Sequence, residues 1–351
     1  MNRDKSVSFA RANACRSVPN FFLFLIGIVS VAASVARAQE ELASDALPVN
    51  TVIANVNVGD NPSGVVVSPD NQSVYIANFL SNTVSIINAQ TNTVENTISV
   101  GTAPDELAIS SDGSKLYVSQ YASPGAVTVI DLANGNSLQT ITGLSPYPNG
   151  IALSPDGTQL WVAAADIDRI DTASNNLLSP VTVPGGCQTL AFTPDGKKVY
   201  ASGRYTGNIT VVSTATEEVT KTIPISPPAS SLEFAQFAMK GQYAYVLVDV
   251  GDNNLHGWLV TINTATDTVV KTDKWKFEAG DLPALLPNTP YLYISNFGSN
   301  KVTLFDTRTK TLVGDSVTVG DSPYDISIAP NGTRAYVTEE FSNTVTVIKI
   351  K

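Results

Sequence analysis

The sequence runs to 351 residues, 15% charged and 43% hydrophobic, with 21 Lys and Arg set against 31 Asp and Glu. Such a chain is too apolar and too sparsely charged to be disordered, and its length allows one large domain or two of ordinary size. One histidine and two cysteines exclude sites built on several His ligands, Cys-rich zinc modules and a disulfide framework.

The first element in chain order is a leader. Arg3, Lys5, Arg11 and Arg16 precede an apolar run from Phe21 to Val35, which ends in Ala36-Arg37-Ala38. A basic opening, an apolar stretch and a small-x-small site form a secretory signal peptide. The run spans about fifteen residues, short of the roughly 20 that a membrane-spanning helix needs. Cleavage is expected after Ala38, giving a secreted, periplasmic or cell-surface protein with no transmembrane segment in the mature chain. The leader carries five basic residues and one acid, so its removal takes the net charge from −10 to −14. No Lys/Arg cluster interrupts that charge, so nucleic acid is a poor partner. Residues 39–49 read as a short linker.

From residue 50 the chain repeats itself. Val58 to Tyr75, VGDNPSGVVVSPDNQSVY, matches Val319 to Tyr336, VGDSPYDISIAPNGTRAY, without a gap. Each unit has a Gly-x-x-Pro approach, a β-rich run, a Ser-Pro-Asp-Gly type of turn, an aromatic-apolar pair and a further strand. The aromatic anchors are Tyr75, Tyr117, Trp161, Tyr200, Tyr245, Tyr293 and Tyr336, at spacings of 42, 44, 39, 45, 48 and 43. In the first unit four runs alternate apolar and polar: Gly64–Ser68, Ser73–Ala77, Thr83–Asn88 and Thr93–Ile98. Four antiparallel strands in each of seven units predict an all-β, seven-bladed β-propeller over residues 50–351. The last unit stops after three strands. Residues 50–56, which align with the outer strand of the first unit, are expected to supply its fourth and close the ring.

The loops entering the inner strands should surround the mouth of the central channel. The two residues after each Pro slot are Ser63-Gly64, Asp105-Glu106, Asn149-Gly150, Gln188-Thr189, Glu233-Phe234, Asp281-Leu282 and Tyr324-Asp325. This set is acidic and amide-rich, with no basic member. Its candidate ligand-binding residues are Asp105, Glu106, Asn149, Gln188, Glu233, Asp281, Tyr324 and Asp325. Converging carboxylates repel one another unless a cation is present, so Ca²⁺ or Mg²⁺ on Asp105, Glu106 and Asp281 is one reading, and a pocket for a cationic or polyhydroxylated ligand is another. The plainer alternative is that these acids are solvated or bond backbone N–H groups of neighbouring blades. Cys187 fills the Pro slot of the fourth unit and reads as a small buried residue. His256, the lone imidazole, lies in an expanded loop of the fifth unit and reads as an exposed loop residue.

Tyr75-Ile76-Ala77-Asn78, Tyr293-Ile294-Ser295-Asn296 and Tyr336-Val337-Thr338-Glu339, together with the Pro-Asp-Gly turns, resemble the YVTN repeat. The chain is similar to YVTN-type seven-bladed propellers, found in secreted and surface-layer proteins. Related propellers include lactonases and a streptogramin-type lyase. The matching residues are structural, so the resemblance implies the fold, and fold is not function. No nucleophile elbow, phosphate loop or dinucleotide fingerprint occurs. The expected function is therefore a non-catalytic binding or scaffold role, as a monomer, toward a protein, glycan or small-molecule ligand. The alternatives are a divalent-cation-dependent, lactonase-type hydrolase or isomerase working at the acidic mouth, and a partner of an exported oxidoreductase system. If the leader is processed as expected, N-terminal sequencing of the exported protein begins at Gln39; a protein still starting at Met1 overturns the expectation.

Overall fold

Alternation of apolar and polar residues gives strands one face for each neighbouring layer. Here both faces of the middle strands are covered, because sheets stand side by side around an axis. The computed structural model describes residues 47–225, 236–249, 257–277 and 282–351. All regular elements there are strands, arranged in seven antiparallel sheets. In blade 1 the strands are Pro62–Val67, Ser73–Asn78, Thr83–Asn88 and Thr93–Ser99, ordered from the channel outward. Blades 2 to 5 repeat that order. Blade 6 departs from it, since its outer edge is divided into Thr311–Leu312 and Val317–Thr318, both paired with Lys301–Asp306. No helix long and apolar enough to cross a membrane occurs among the described residues.

Blade 7 is completed as expected. Asn50–Asn57 pairs antiparallel with Thr344–Ile350, from Asn50 opposite Ile350 to Asn57 opposite Thr344. This pairing covers the edge that the last strand would otherwise leave open.

The core lies between blades. Each pair of consecutive sheets encloses one hydrophobic cluster, seven in all around the ring. All seven aromatic anchors are buried in these clusters or at their edges, none more than 7% exposed. Rings of this size remove about 150–250 Å² each from water. That burial explains the regular aromatic spacing.

The polar letters of the repeat serve the ends of the strands. Asn78, fully buried, accepts from Gly59 N (3.1 Å) and donates to the hydroxyls of Thr83 (3.0 Å) and Ser85 (2.9 Å). Glu339 takes its place in blade 7, accepting from Gly320 N (2.7 Å) and from the hydroxyls of Thr344 and Thr346. The glycine of Gly-x-x-Pro follows from this contact, because a Cβ on Gly59 would lie 2.7 Å from the Asn78 side chain. A second Asn, in the left-handed region that Asn tolerates, bonds to the next blade. Asn82, Asn300 and Asn343 accept from the backbone N–H of Ala103 (2.8 Å), Ser322 (3.0 Å) and Asn61 (2.9 Å) respectively.

Asn78→Ala strands the partly buried Gly59 N–H and Thr83 hydroxyl and the buried Ser85 hydroxyl, and a buried group left unpaired costs about 1–3 kcal/mol. A loss of at least about 2 kcal/mol is expected in urea denaturation, with the slope unchanged.

Candidate functional site

The inner strands begin with a local break in pairing. In blades 1, 2, 4 and 7 the ladder jumps from Pro62 to Val65, Pro104 to Leu107, Cys187 to Leu190 and Pro323 to Ile326. The N–H freed at the second residue of the break finds a hydroxyl on the second strand. Glu106 N donates to Ser119 Oγ (2.9 Å), Thr189 N to Ser202 Oγ (3.1 Å) and Asp325 N to Thr338 Oγ1 (3.0 Å). Leu282 N donates likewise to Ser295 Oγ (3.2 Å). Hydroxyls also cross to the next blade: Thr338 donates to Ser63 O (2.6 Å), Ser63 to Asp105 O (2.9 Å) and Ser295 to Tyr324 O (2.9 Å).

These breaks separate the two residues that follow the Pro slot. The first residues of five blades, Ser63, Asp105, Asn149, Gln188 and Tyr324, line one cavity of about 420 Å³ at the mouth. The second residues serve the frame. Asp325 Oδ2 accepts from Val65 N of the adjacent blade (2.9 Å) and its Oδ1 from Ile326 N (2.7 Å). Glu106 packs against Gly64, where a Cβ would meet Asp105 O at 2.6 Å. Of the eight expected residues, the cavity gathers Asp105, Asn149, Gln188 and Tyr324; Glu106 and Asp325 lie behind it. Glu233, Asp281 and His256 lie outside the described residues. The register of blade 5, with Ala238 opposite Tyr245, makes Gln236 the counterpart of Gly64.

A second ring completes the lining: Phe79, Tyr121, Arg204 and Glu340, with Asn61 between blades. Antiparallel pairing puts the end of each second strand beside the start of its inner strand, so both rings share one face. The sequence held a signal for these four. Each stands four residues after its aromatic anchor, Tyr75, Tyr117, Tyr200 or Tyr336. The mouth thus has a basic member, Arg204, which counting only from the Pro slot does not find.

Charge is concentrated on the floor. Asp105 is 4% exposed and accepts from Asn149 Nδ2 (2.6 Å). Burial, then the charges of Glu340 and Asp325, push its carboxyl up to about 7, against the pull of Arg204 and the Asn149 bond. Burial raises Glu340 as well, and burial with the charges of Asp325 and Asp105 holds Glu106 well above the usual carboxylate range. Asp325 is raised less, to about 6, because burial is offset by its two backbone donors. Arg204 Nη2 donates to Tyr121 OH (2.6 Å), and its guanidinium lies over the Tyr121 and Tyr205 rings at 5.5 and 5.6 Å. Gln188 Oε1 is buried without a hydrogen-bond partner among the described residues.

Among the described residues no group of three or more His, Cys, Asp or Glu side chains is placed to hold an ion; Asp281, one of the three expected metal ligands, lies outside them. Cys187 is fully buried, as expected, with its thiol raised by burial and its Sγ bonded to Thr189 O (3.4 Å).

Known proteins agree on the fold. Residues 234–351 match the family model described as lactonase, 7-bladed beta-propeller. A seven-bladed β-propeller protein of Mycobacterium tuberculosis (strain ATCC 25618 / H37Rv) is 28% identical over 163 residues, covering 45% of this chain and 39% of that protein. The aligned part is thus well under half of the relative's length. Among solved structures, a chain of Kuenenia stuttgartiensis hydrazine synthase has a TM-score of 0.71 at 23% identity, over 82% of this chain and 95% of its own. The Cps50 (Swd1) β-propeller domain of Myceliophteria thermophila has a TM-score of 0.71 at 13% identity, over 86% and 100%. The two structural likenesses show a shared fold and nothing more.

Asp105 gives this site a sign in pH. Its folded pKa lies above its unfolded value near 3.8, so the folded state binds more protons between those values and loses stability as pH rises through about 7. Asp105→Asn removes the dependence. It is expected to raise the unfolding free energy measured in urea at pH 8 by on the order of a few kcal/mol, and to leave it nearly unchanged at pH 4.

Proposed function

We propose that this protein is an exported, non-catalytic ligand-binding propeller whose site is the mouth of the central channel. One observation carries the reading: the same register position of five blades converges on a single cavity, whose floor includes a buried acceptor, Gln188 Oε1, with no bond to it. A volume of about 420 Å³ suits a small molecule, since such sites run from about 300 to 1,000 Å³. Buried polar atoms are normally paired with protein, water or ligand, so the unpaired Gln188 Oε1 is a place for a donor brought into the mouth. The proposal needs no divalent cation, and the leader formed by residues 1–38 carries the export.

A second reading, hydrolysis of a lactone, is favoured by the family match over residues 234–351 and by Asp105. A carboxyl held near 7 exchanges a proton readily at neutral pH.

One set of measurements on the mature protein separates them. A ligand at a hundred times its Kd stabilises the folded state by about 2.7 kcal/mol. A metabolite and glycan library is expected to yield compounds that raise the melting temperature of the wild type and leave Gln188→Leu unmoved. EDTA, and Ca²⁺ or Mg²⁺ added back, should shift nothing. A cation-induced shift abolished by Asp105→Asn favours the metal-dependent alternative. Turnover of γ- or δ-lactones that Asp105→Asn abolishes favours the hydrolase. Stabilising ligands that act equally on Gln188→Leu overturn the mouth as the site.

A further inference from the structure

Resting on the mouth as a binding site, the chemistry of its walls narrows the ligand. The polar lining is rich in acceptors. Asp105 and Glu340 present carboxyl oxygens and Gln188 presents the open Oε1. Asn149 Nδ2 turns one of its two hydrogens to Asp105. A ligand that fits brings donors.

The charge balance points the same way. The titratable and charged groups felt by Asp105 are Glu340 and Asp325 from blade 7, Glu106 beside it and Arg204 from blade 4. Tyr324 also faces this cluster, and its phenol is pushed well above its usual value by burial and by the same four carboxylates. In the lining one guanidinium faces two carboxyls, Asp105 and Glu340, with Asp325 and Glu106 behind them, and the mature chain as a whole is acidic. Arg204 turns Nη2 to Tyr121 OH, and its guanidinium carbon lies over the Tyr121 and Tyr205 rings.

The walls add an aromatic surface. Phe79 stands 6.1 Å from Tyr121, centroid to centroid, and is half-buried at the cavity edge. Arg204 covers Tyr121 and Tyr205, and among the described residues no cation lies over Phe79. An aromatic face beside carboxylates in a partly desolvated cavity is favourable for an organic cation.

We infer that the mouth binds a protonated organic amine, with its ammonium between Asp105 and Glu340, a donor to Gln188 Oε1 and its carbon body against Phe79. Ammonium binding favours the ionised carboxyls, so it releases protons to solvent near neutral pH.

The test uses three probes of one shape and different charge: benzylammonium, benzyl alcohol and benzoate. Each is titrated by calorimetry into the mature protein at pH 8 and pH 5, in buffers of different ionisation enthalpy. Benzylammonium is expected to bind at least tenfold more tightly than benzyl alcohol at pH 8, to weaken at least fivefold at pH 5, and to release protons near pH 7. Glu340→Gln, at the half-exposed rim where folding is not at stake, should weaken it at least fivefold, and Asp105→Asn should do so as well. Equal binding of the alcohol, or tighter binding of benzoate, overturns the amine while leaving the mouth as the site if Gln188→Leu abolishes that binding. No heat from any of the three overturns the amine; the mouth itself then stands or falls on the library screen.

Discussion

The channel mouth depends on a hydrogen bond repeated around the ring. An inner-strand N–H leaves its ladder and bonds a hydroxyl on the second strand, as Glu106 does with Ser119, Thr189 with Ser202 and Asp325 with Thr338. Without that hydroxyl the break in pairing would leave a buried amide unpaired. With it, the chain can turn one side chain into the channel and the next into the frame. The hydroxyls of Thr338 and Ser295 then extend to a carbonyl of the following blade, so there the group that receives the inner-strand N–H also joins the sheets. Binding surface and blade-to-blade register are therefore set by the same few atoms.

The mouth and the frame also divide the electrostatic burden. Asp325 and Glu339 are buried carboxyls whose oxygens are filled by backbone N–H groups or hydroxyls. They serve as connectors, and their charge is answered locally. Asp105 has a single amide donor and is pressed by its neighbours. A group held in this way stores a cost that a ligand can relieve, which is how sites with shifted acids commonly arise.

Much of this architecture was legible in the sequence because the repeat is written in residues with one structural job each. The seven aromatics mark the blade cores, and Asn50–Asn57 was recognisable as an outer strand displaced to the front of the chain. The split outer edge of blade 6 was not, since Thr311–Leu312 and Val317–Thr318 are too short to alternate visibly. At the mouth, counting from the Pro slot found Asp105, Asn149, Gln188 and Tyr324. It also took in Glu106 and Asp325, because two adjacent residues look equivalent until the break in pairing sends them to different places. Phe79, Tyr121, Arg204 and Glu340 escaped because they belong to a second counting frame, four residues beyond each aromatic anchor. Neighbours in the cavity are far apart in the chain, and only the antiparallel ladder brings the two frames to one face.

The closing strand has a consequence in time. Among the described residues Asn50–Asn57 is the first strand synthesised, and its partner Thr344–Ile350 is made about 290 residues later. At typical elongation rates of about 5–20 residues per second, the front edge waits on the order of 15–60 s for its mate. Through that interval Val52, Ala54 and Val56 have no sheet to join, although their final register is already written in them. Six blades are each built from contiguous strands, and the seventh is complete only when Thr344–Ile350 has met Asn50–Asn57.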